Sequence, residues 1–192
     1  RQFKKLGWEL RCPNCEGVLF SIPTNEDKPL FPTSIYAINK RDQEEMCLRV
    51  GLAYKIPTVA LRYFNVYGPR QALSNPYTGV AAIFSGCIIN GDAPIIFEDG
   101  LQSRDFIHVS DIVQANMLAL AKDEANYQVF NVGTGRRISV LEIAAILLKK
   151  LNQQNIKPRI VNKFREGDIR HCYADITKIK KSTKYGEMNT IE

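Results

Sequence analysis

The segment "IPTVALRYFNVYGPR", residues 56–70, constrains this chain most. Pro57 forbids any helix from running through it, because proline offers no N–H and its ring meets the preceding turn. The β-branched and aromatic residues that follow suit a buried strand, and "YGPR" supplies the turn that leaves it. Segments of helical period lie on either side. Met46, Cys47, Val50, Ala53 and Tyr54 recur at helical spacing and predict the buried side of a helix running from Ser34 to Tyr54. The stretch from Gly79 to Ile89 predicts a second helix, and "QVFNVGTG" a strand that enters a glycine turn. Strands that alternate with helices in this way imply an α/β fold.

The remaining elements follow from local chemistry. "APIIF" and "FIHV" read as short strands around the turn "EDGLQSRD". Ser110 is a suitable N-cap for "DIVQANMLALA". In "SVLE", Ser139 and Glu142 have the spacing of a capping box, and Ile143, Ala144, Leu147 and Leu151 continue one face. "KPRIV" predicts a strand, and Asp175 to Lys184 a last helix. Residues 1–33 read as loop, because "IPTNEDKPLFPTS" is dense in turn formers.

At 192 residues the chain suffices for one sizeable domain, or a domain with a small appendage. No apolar run approaches the roughly 20 residues that a membrane helix needs, so no membrane association is expected. The net charge of +6 is scattered except in "KIKKSTK", which reads as a solvated helix face. No zinc finger, helix-turn-helix or aromatic RNA motif accompanies it, so nucleic acid is not the expected partner. Cys47, Cys87 and Cys172 stand singly and read as buried thiols of a cytoplasmic protein.

"SIYAINK" places Tyr36 and Lys40 four residues apart, on one face of the first predicted helix. A tyrosine titrates near pH ~10 and is a poor base at neutral pH. A nearby ammonium favours the phenolate, which can then take a proton from a hydroxyl as hydride leaves the same carbon. A packed tyrosine beside a snorkelling lysine is the competing explanation.

Five blocks in order, "PTSIYAINK", "LRYFNVYGPR", "DGLQSRDFIHVSDI", "FNVGTGRRISVLEI" and "REGDIRHCYAD", resemble the extended short-chain dehydrogenase/reductase family that acts on nucleotide sugars. The resemblance runs from Thr24 to the end of the chain. It is closest to the nucleoside-diphosphate-sugar 4-epimerases, those of UDP-glucose and dTDP-L-rhamnose among them, with 4,6-dehydratases and UDP-glucuronate decarboxylases as the alternatives. It implies that Tyr36 is the catalytic acid/base and that Lys40 holds the nicotinamide ribose of NAD. Tyr63 and Phe64 would lie beside the nicotinamide. Asn65 would contact the diphosphate region, Arg104 and Arg170 would bind the diphosphate, Phe97 would meet the nucleobase, and Asp175 would stand beyond that pocket. Local sequence leaves alternatives open. Arg104 could pair with Asp105, Arg170 with Asp168, and Asn65 could cap a strand end. His108 reads as structural.

The resemblance also defines what is missing. The hydride belongs to the cofactor, yet no G-x-G-x-x-G follows a strand, and "NVGTG" is a weak candidate for a phosphate loop. The chain is therefore expected to be the C-terminal part of an NAD(P)-binding Rossmann-like enzyme with its smaller substrate lobe. Residues 34–77 would end the Rossmann-like layer, and residues 78–192 would form mainly the lobe, with residues 102–121 packing back on the layer. A homodimer is expected for the full-length enzyme, and a non-catalytic fragment is the rival reading. "CPNC" carries Cys12 and Cys15 at the spacing of half a zinc site. The resemblance implies a structural zinc completed by cysteines from elsewhere, and two reduced thiols are the alternative.

Overall fold

The computed structural model describes residues 7–72, 78–164, 168–186 and 191. In chain order its elements are α1 (Ile35–Tyr54), β1 (Ala60–Tyr63), β2 (Asn65–Tyr67), α2 (Val80–Ile89), β3 (Ile95–Ile96), β4 (Ser103–Arg104), β5 (Phe106–His108), α3 (Val109–Ala121), β6 (Val129–Val132), β7 (Ile138–Ser139), α4 (Val140–Lys150), β8 (Arg159–Ile160), β9 (His171–Cys172) and α5 (Thr177–Thr183). A 3₁₀ turn spans Asp123–Ala125. The order confirms the α/β expectation. The chain divides into two compact units, and each is assembled from three separate stretches. Among the described residues no helix is long and apolar enough to cross a membrane.

One unit comprises Thr24–Arg70, Asp105–Arg136 and Tyr173–Glu192. Its predicted first strand breaks in two at Phe64, because the pairing partner changes there. β1 runs parallel to β6, with Ala60 opposite Val129 and Tyr63 opposite Val132. β2 runs parallel to β5, with Asn65 opposite Phe106 and Tyr67 opposite His108. Parallel neighbours need a crossover, which helices provide. Ile107, Phe130, Val132 and Ile179 form the fully buried centre, and Leu61, Phe64 and Val66 pack against it.

Two local expectations are corrected in this unit. The N-cap of α3 is His108 rather than Ser110. Its Nδ1 accepts the Ser110 N–H at 3.3 Å, and its ring meets Tyr67 edge-on at 5.3 Å, so His108 has the structural role expected of it. Helix α1 begins as predicted, with the Ser34 hydroxyl accepting the Ala37 N–H at 3.1 Å. Its predicted buried side is not buried, however. Met46 is 59% exposed, Val50 51% and Tyr54 74%, whereas Gly51 is the buried residue of the helix. Helical spacing shows which residues share a face; it does not show what covers that face. Gly51 makes the close approach, since a Cβ there would stand 2.2 Å from the Thr58 hydroxyl oxygen.

The other unit comprises Arg1–Pro23, Gln71–Arg104 and Arg137–Cys172. Helices α2 and α4 pack together, with Phe84 and Ile88 on one and Ile143, Ala144 and Leu148 on the other buried. The capping box forms as predicted: the Ser139 N–H donates to Glu142 Oε2 at 2.7 Å, and the Glu142 N–H donates to Ser139 Oγ at 3.1 Å. β4 lies between an antiparallel β7 and a parallel β9, and β3 pairs with β8. Residues 10–19 are not plain loop. They form a small hairpin, with Arg11 bridged to Val18 and the Leu19 N–H donating to Leu10 O at 2.8 Å.

The glycine turn "NVGTG" holds a carboxylate of the protein itself. Asp105 is fully buried. Its Oδ1 accepts the Thr134 N–H and hydroxyl, each at 2.8 Å. Its Oδ2 accepts the Gly135 N–H at 2.9 Å and the Ala174 N–H at 3.1 Å. The weak expectation of a phosphate loop is therefore corrected: two of the turn's N–H groups are already occupied. Gly133 makes the close packing possible, since a Cβ there would lie 2.6 Å from Asp105 Oδ2 and 2.8 Å from the Ala174 Cβ. Asp105→Asn turns one acceptor into a donor facing buried N–H groups. Its expected cost is about 3 kcal/mol or more, and Gly133→Ala should cost about 1–3 kcal/mol by overpacking. Urea unfolding measures both, and wild-type midpoints would disprove the role given to this carboxylate.

Candidate active-site residues

Tyr36 and Lys40 occupy the first turns of α1, where the Ser34 cap fixes the start of the helix. The four-residue spacing brings them together as expected. The Lys40 ammonium lies 5.7 Å from the centre of the Tyr36 ring and donates to Gln43 Oε1 at 3.3 Å. The ring is 48% exposed, so it is presented outward and is not packed into the core. This disfavours the packed-tyrosine alternative.

The neighbouring strand residues separate by role. The Tyr63 hydroxyl donates to Asn116 Oδ1 at 3.0 Å. Phe64 packs on the core. Asn65 uses its backbone N–H on Asp105 O at 2.9 Å. Asp175 turns its carboxylate to the Thr177 N–H at 2.9 Å, at the start of α5. The Thr177 side chain and N–H together hold it below the usual carboxylate range.

Sequence reasoning missed Arg62. Its guanidinium grips Glu44 of α1 through two bonds of 2.6 and 2.8 Å and donates to Glu26 O at 2.9 Å. This fork ties the loop before α1 and the helix itself to β1. No motif announces it, because the partners lie 18 and 36 residues away.

In the other unit the two arginines differ sharply. Arg104 pairs with Asp168 rather than with its neighbour Asp105. Its Nη1 donates to Ser103 O at 2.8 Å and to Arg170 O at 3.3 Å. Arg170 pairs with Glu9, Glu98 and Asp99 rather than with Asp168. Burial would lower its pKa, but Asp99 and Glu9 outweigh that and raise it. Burial would likewise raise the Glu9 and Asp99 carboxyls, yet bonds from Arg170 hold both below their ordinary range, with His171 adding to the effect at Glu9. Phe97 is partly exposed at the end of the β3 segment, and its carbonyl accepts the Gln102 amide at 3.0 Å.

Strand alternation sorts β4 into two faces. Ser103 stands in register with Ser139 and His171, and Arg104 with Ile138 and Cys172. The Ser103 face borders a cleft of about 510 Å³ lined by Glu9, Phe20, Arg137, Ser139 and His171 among others. None of the residues assigned to the sugar nucleotide lines that cleft.

Cys12 and Cys15 sit at the tip of the hairpin, half-buried and exposed respectively. The backbone N–H groups of Cys15 and Asn14 lower the Cys12 pKa. A structural zinc takes four ligands, and among the described residues no group of three or more His, Cys, Asp or Glu could hold a metal. The structure therefore gives the expected zinc two thiols and no complete ligand set.

Comparison with known proteins places this geometry in a family. The model of the NAD dependent epimerase/dehydratase family matches residues 14–133. The dTDP-L-rhamnose 4-epimerase of Burkholderia thailandensis is 35% identical over 147 residues, which is 77% of this chain and 40% of that protein. A putative UDP-glucose 4-epimerase of Methanocaldococcus jannaschii is 36% identical over 82% of this chain and 50% of that protein. Among solved structures, the UDP-glucose 4-epimerase of Thermotoga maritima with UDP-glucose superposes with a TM-score of 0.82 at 34% identity, covering 90% of this chain and 54% of that one. The UDP-glucuronic acid 4-epimerase of Bacillus cereus, in complex with UDP-glucuronic acid and NAD, gives a TM-score of 0.78 at 28% identity, covering 90% and 53%. The chain spans about half the length of the relatives it matches. With more than half of its residues matched by the family model and a Rossmann-like α/β fold, this chain belongs to the NAD dependent epimerase/dehydratase family.

Proposed function

We propose that this chain supplies the acid/base pair and a diphosphate clamp of an NAD-dependent nucleoside-diphosphate-sugar 4-epimerase. The observation that carries the reading is the outward-facing Tyr36–Lys40 pair on the capped first turns of α1. The chain is read as the C-terminal portion of such an enzyme. Two findings support this: it spans about half of its relatives, and it has no glycine-rich nucleotide loop after a strand. A homodimer belongs to the same reading, supported by the exposed Met46, Val50 and Tyr54 of α1, a surface that a second copy could bury. A monomer by sedimentation at micromolar concentration would remove that part.

Tyr36 takes the proton of the sugar hydroxyl at C4 and returns it after the keto sugar has turned. Lys40 favours the phenolate and is the group that would hold the nicotinamide ribose. NAD, when bound, supplies the acceptor and then the donor of the hydride. Tyr36 and Lys40 are the groups read as meeting its ribose end. The "NVGTG" N–H groups are not offered to its pyrophosphate, because Asp105 holds those. Tyr63 and Phe64 are read as flanking the nicotinamide, and Asn65 and Asp175 as polar groups on the sugar nucleotide. Phe97 is read as the nucleobase contact. Arg104 grips the diphosphate, since a guanidinium fork matches phosphate oxygens. Arg170 and the Cys12–Cys15 zinc stay within the reading only as the resemblance implies them.

Tyr36→Phe in the full-length protein keeps the ring and removes the proton acceptor. Turnover of UDP-glucose or a dTDP-hexose should fall by roughly 10² or more, while binding of the nucleotide sugar should change little. Near-normal turnover would exclude Tyr36 as the base. The product decides between reactions: a C4 epimer supports the proposal, whereas a 4-keto-6-deoxy sugar or a decarboxylated pentose replaces it. Failure to bind either NAD or a nucleotide sugar would favour a non-catalytic role.

Arg104→Lys keeps the charge and loses the fork. Charge-assisted bonds are worth roughly 1.5–3 kcal/mol each, so UDP binding should weaken about tenfold or more while uridine binding stays the same. Calorimetric titration of the variant with each ligand measures this, and equal effects on both would deny Arg104 a phosphate contact.

A further inference from the structure

We infer that Arg170 is a positioning residue for the diphosphate clamp: it locks the 168–171 segment that seats the Arg104 guanidinium, and it does not itself touch the ligand. The inference rests on the reading of Arg104 given above and replaces the diphosphate contact that the family resemblance implies for Arg170.

The donors of Arg170 are already in use. Nε donates to Glu9 Oε1 at 3.1 Å. Nη1 donates to Glu98 Oε2 at 2.9 Å and Asp99 Oδ1 at 2.6 Å. Nη2 donates to Glu9 Oε1 at 2.5 Å and Asp99 Oδ2 at 2.9 Å. A guanidinium has five N–H groups, and these bonds account for all of them. The side chain is 7% exposed and its partner Glu98 5%. A phosphate binding here would have to displace a carboxylate, leaving it buried without its cation, which is costly. Three carboxylates around one guanidinium also create an excess of negative charge that disfavours an arriving phosphate.

Arg104 is different. Its Nη1 rests on Ser103 O and Arg170 O, and its Nη2 on Asp168. Among the described residues its Nε and the second N–H of Nη2 carry no partner, so donors remain for a ligand. Its seat is built from the segment that Arg170 anchors. Asp168 precedes Arg170 by two residues and is itself held by the Ile169 N–H at 3.0 Å. The Arg170 carbonyl also accepts the Ser103 N–H at 2.9 Å. His171 adds a second tie, with Nε2 on Glu9 Oε2 at 2.9 Å and Nδ1 on Ser103 Oγ at 2.8 Å. Glu9 is thus the common post for residues 170 and 171. It stands just before the hairpin that carries Cys12 and Cys15.

The two accounts of Arg170 predict opposite signs. If its guanidinium bound the diphosphate directly, Glu9→Gln would free it from a competing carboxylate and tighten UDP binding. If it positions Arg104, Glu9→Gln loosens the seat, and UDP binding should weaken about three- to tenfold with uridine unaffected. Calorimetry on the full-length protein reads this, with circular dichroism to confirm folding. A double-mutant cycle completes the test. Arg170→Met should weaken UDP binding in the parent protein and change it less than twofold once Arg104→Met is present. Tighter or unchanged UDP binding in Glu9→Gln, or the same Arg170→Met factor in both backgrounds, overturns the inference. If Arg104→Met affects UDP and uridine alike, the diphosphate reading itself fails and takes the inference with it.

Discussion

Four donors converge on the buried carboxylate of Asp105, and the unit that holds β1, β2, β5 and β6 is organised around that convergence. The Thr134 and Gly135 N–H groups belong to the turn after β6, and the Ala174 N–H to the segment leading into α5. The Asp105 carbonyl meanwhile accepts the Asn65 N–H at the start of β2. One residue therefore sets the ends of several chain segments that are far apart in sequence. A buried acceptor surrounded by N–H groups is costly to leave unsatisfied, so these segments adopt one arrangement. Gly133 admits the close packing because any side chain there would overlap the carboxylate.

The same logic appears in the other unit with the signs reversed. There a buried cation, Arg170, collects three carboxylates and draws residues 9, 98 and 99 to the end of β9. Such a cage contributes little net stability, because desolvation offsets most of the attraction. Its value is geometric. It joins residues 9, 98 and 99 to the residue that precedes the two-residue strand β9.

Exposure carries information too. Helix α1 presents Tyr36 outward and leaves Met46, Val50 and Tyr54 uncovered, while only Gly51 is buried. The helix is held at its start by the Ser34 cap and to β1 by the Glu44–Arg62 fork, so its outward face need not be buried to keep it in place.

The sequence by itself determined the features that depend on neighbours in the chain. The α/β order, the end of α1 before Pro57, the Ser139–Glu142 capping box and the four-residue step from Tyr36 to Lys40 all follow from interactions within a turn or two of helix. Their energetics are local, so they can be read from a short window. Tertiary structure decided what depends on distant partners. It split "TVALRYFNVYG" at Phe64, because β6 and β5 offer successive edges. It moved the α3 cap to His108 and turned the glycine turn toward Asp105. It also gave Asp168 to Arg104 and three other carboxylates to Arg170, where adjacency in sequence suggested Asp105 and Asp168. A guanidinium chooses among acids by where the backbone brings them in space, and sequence separation holds no trace of that distance.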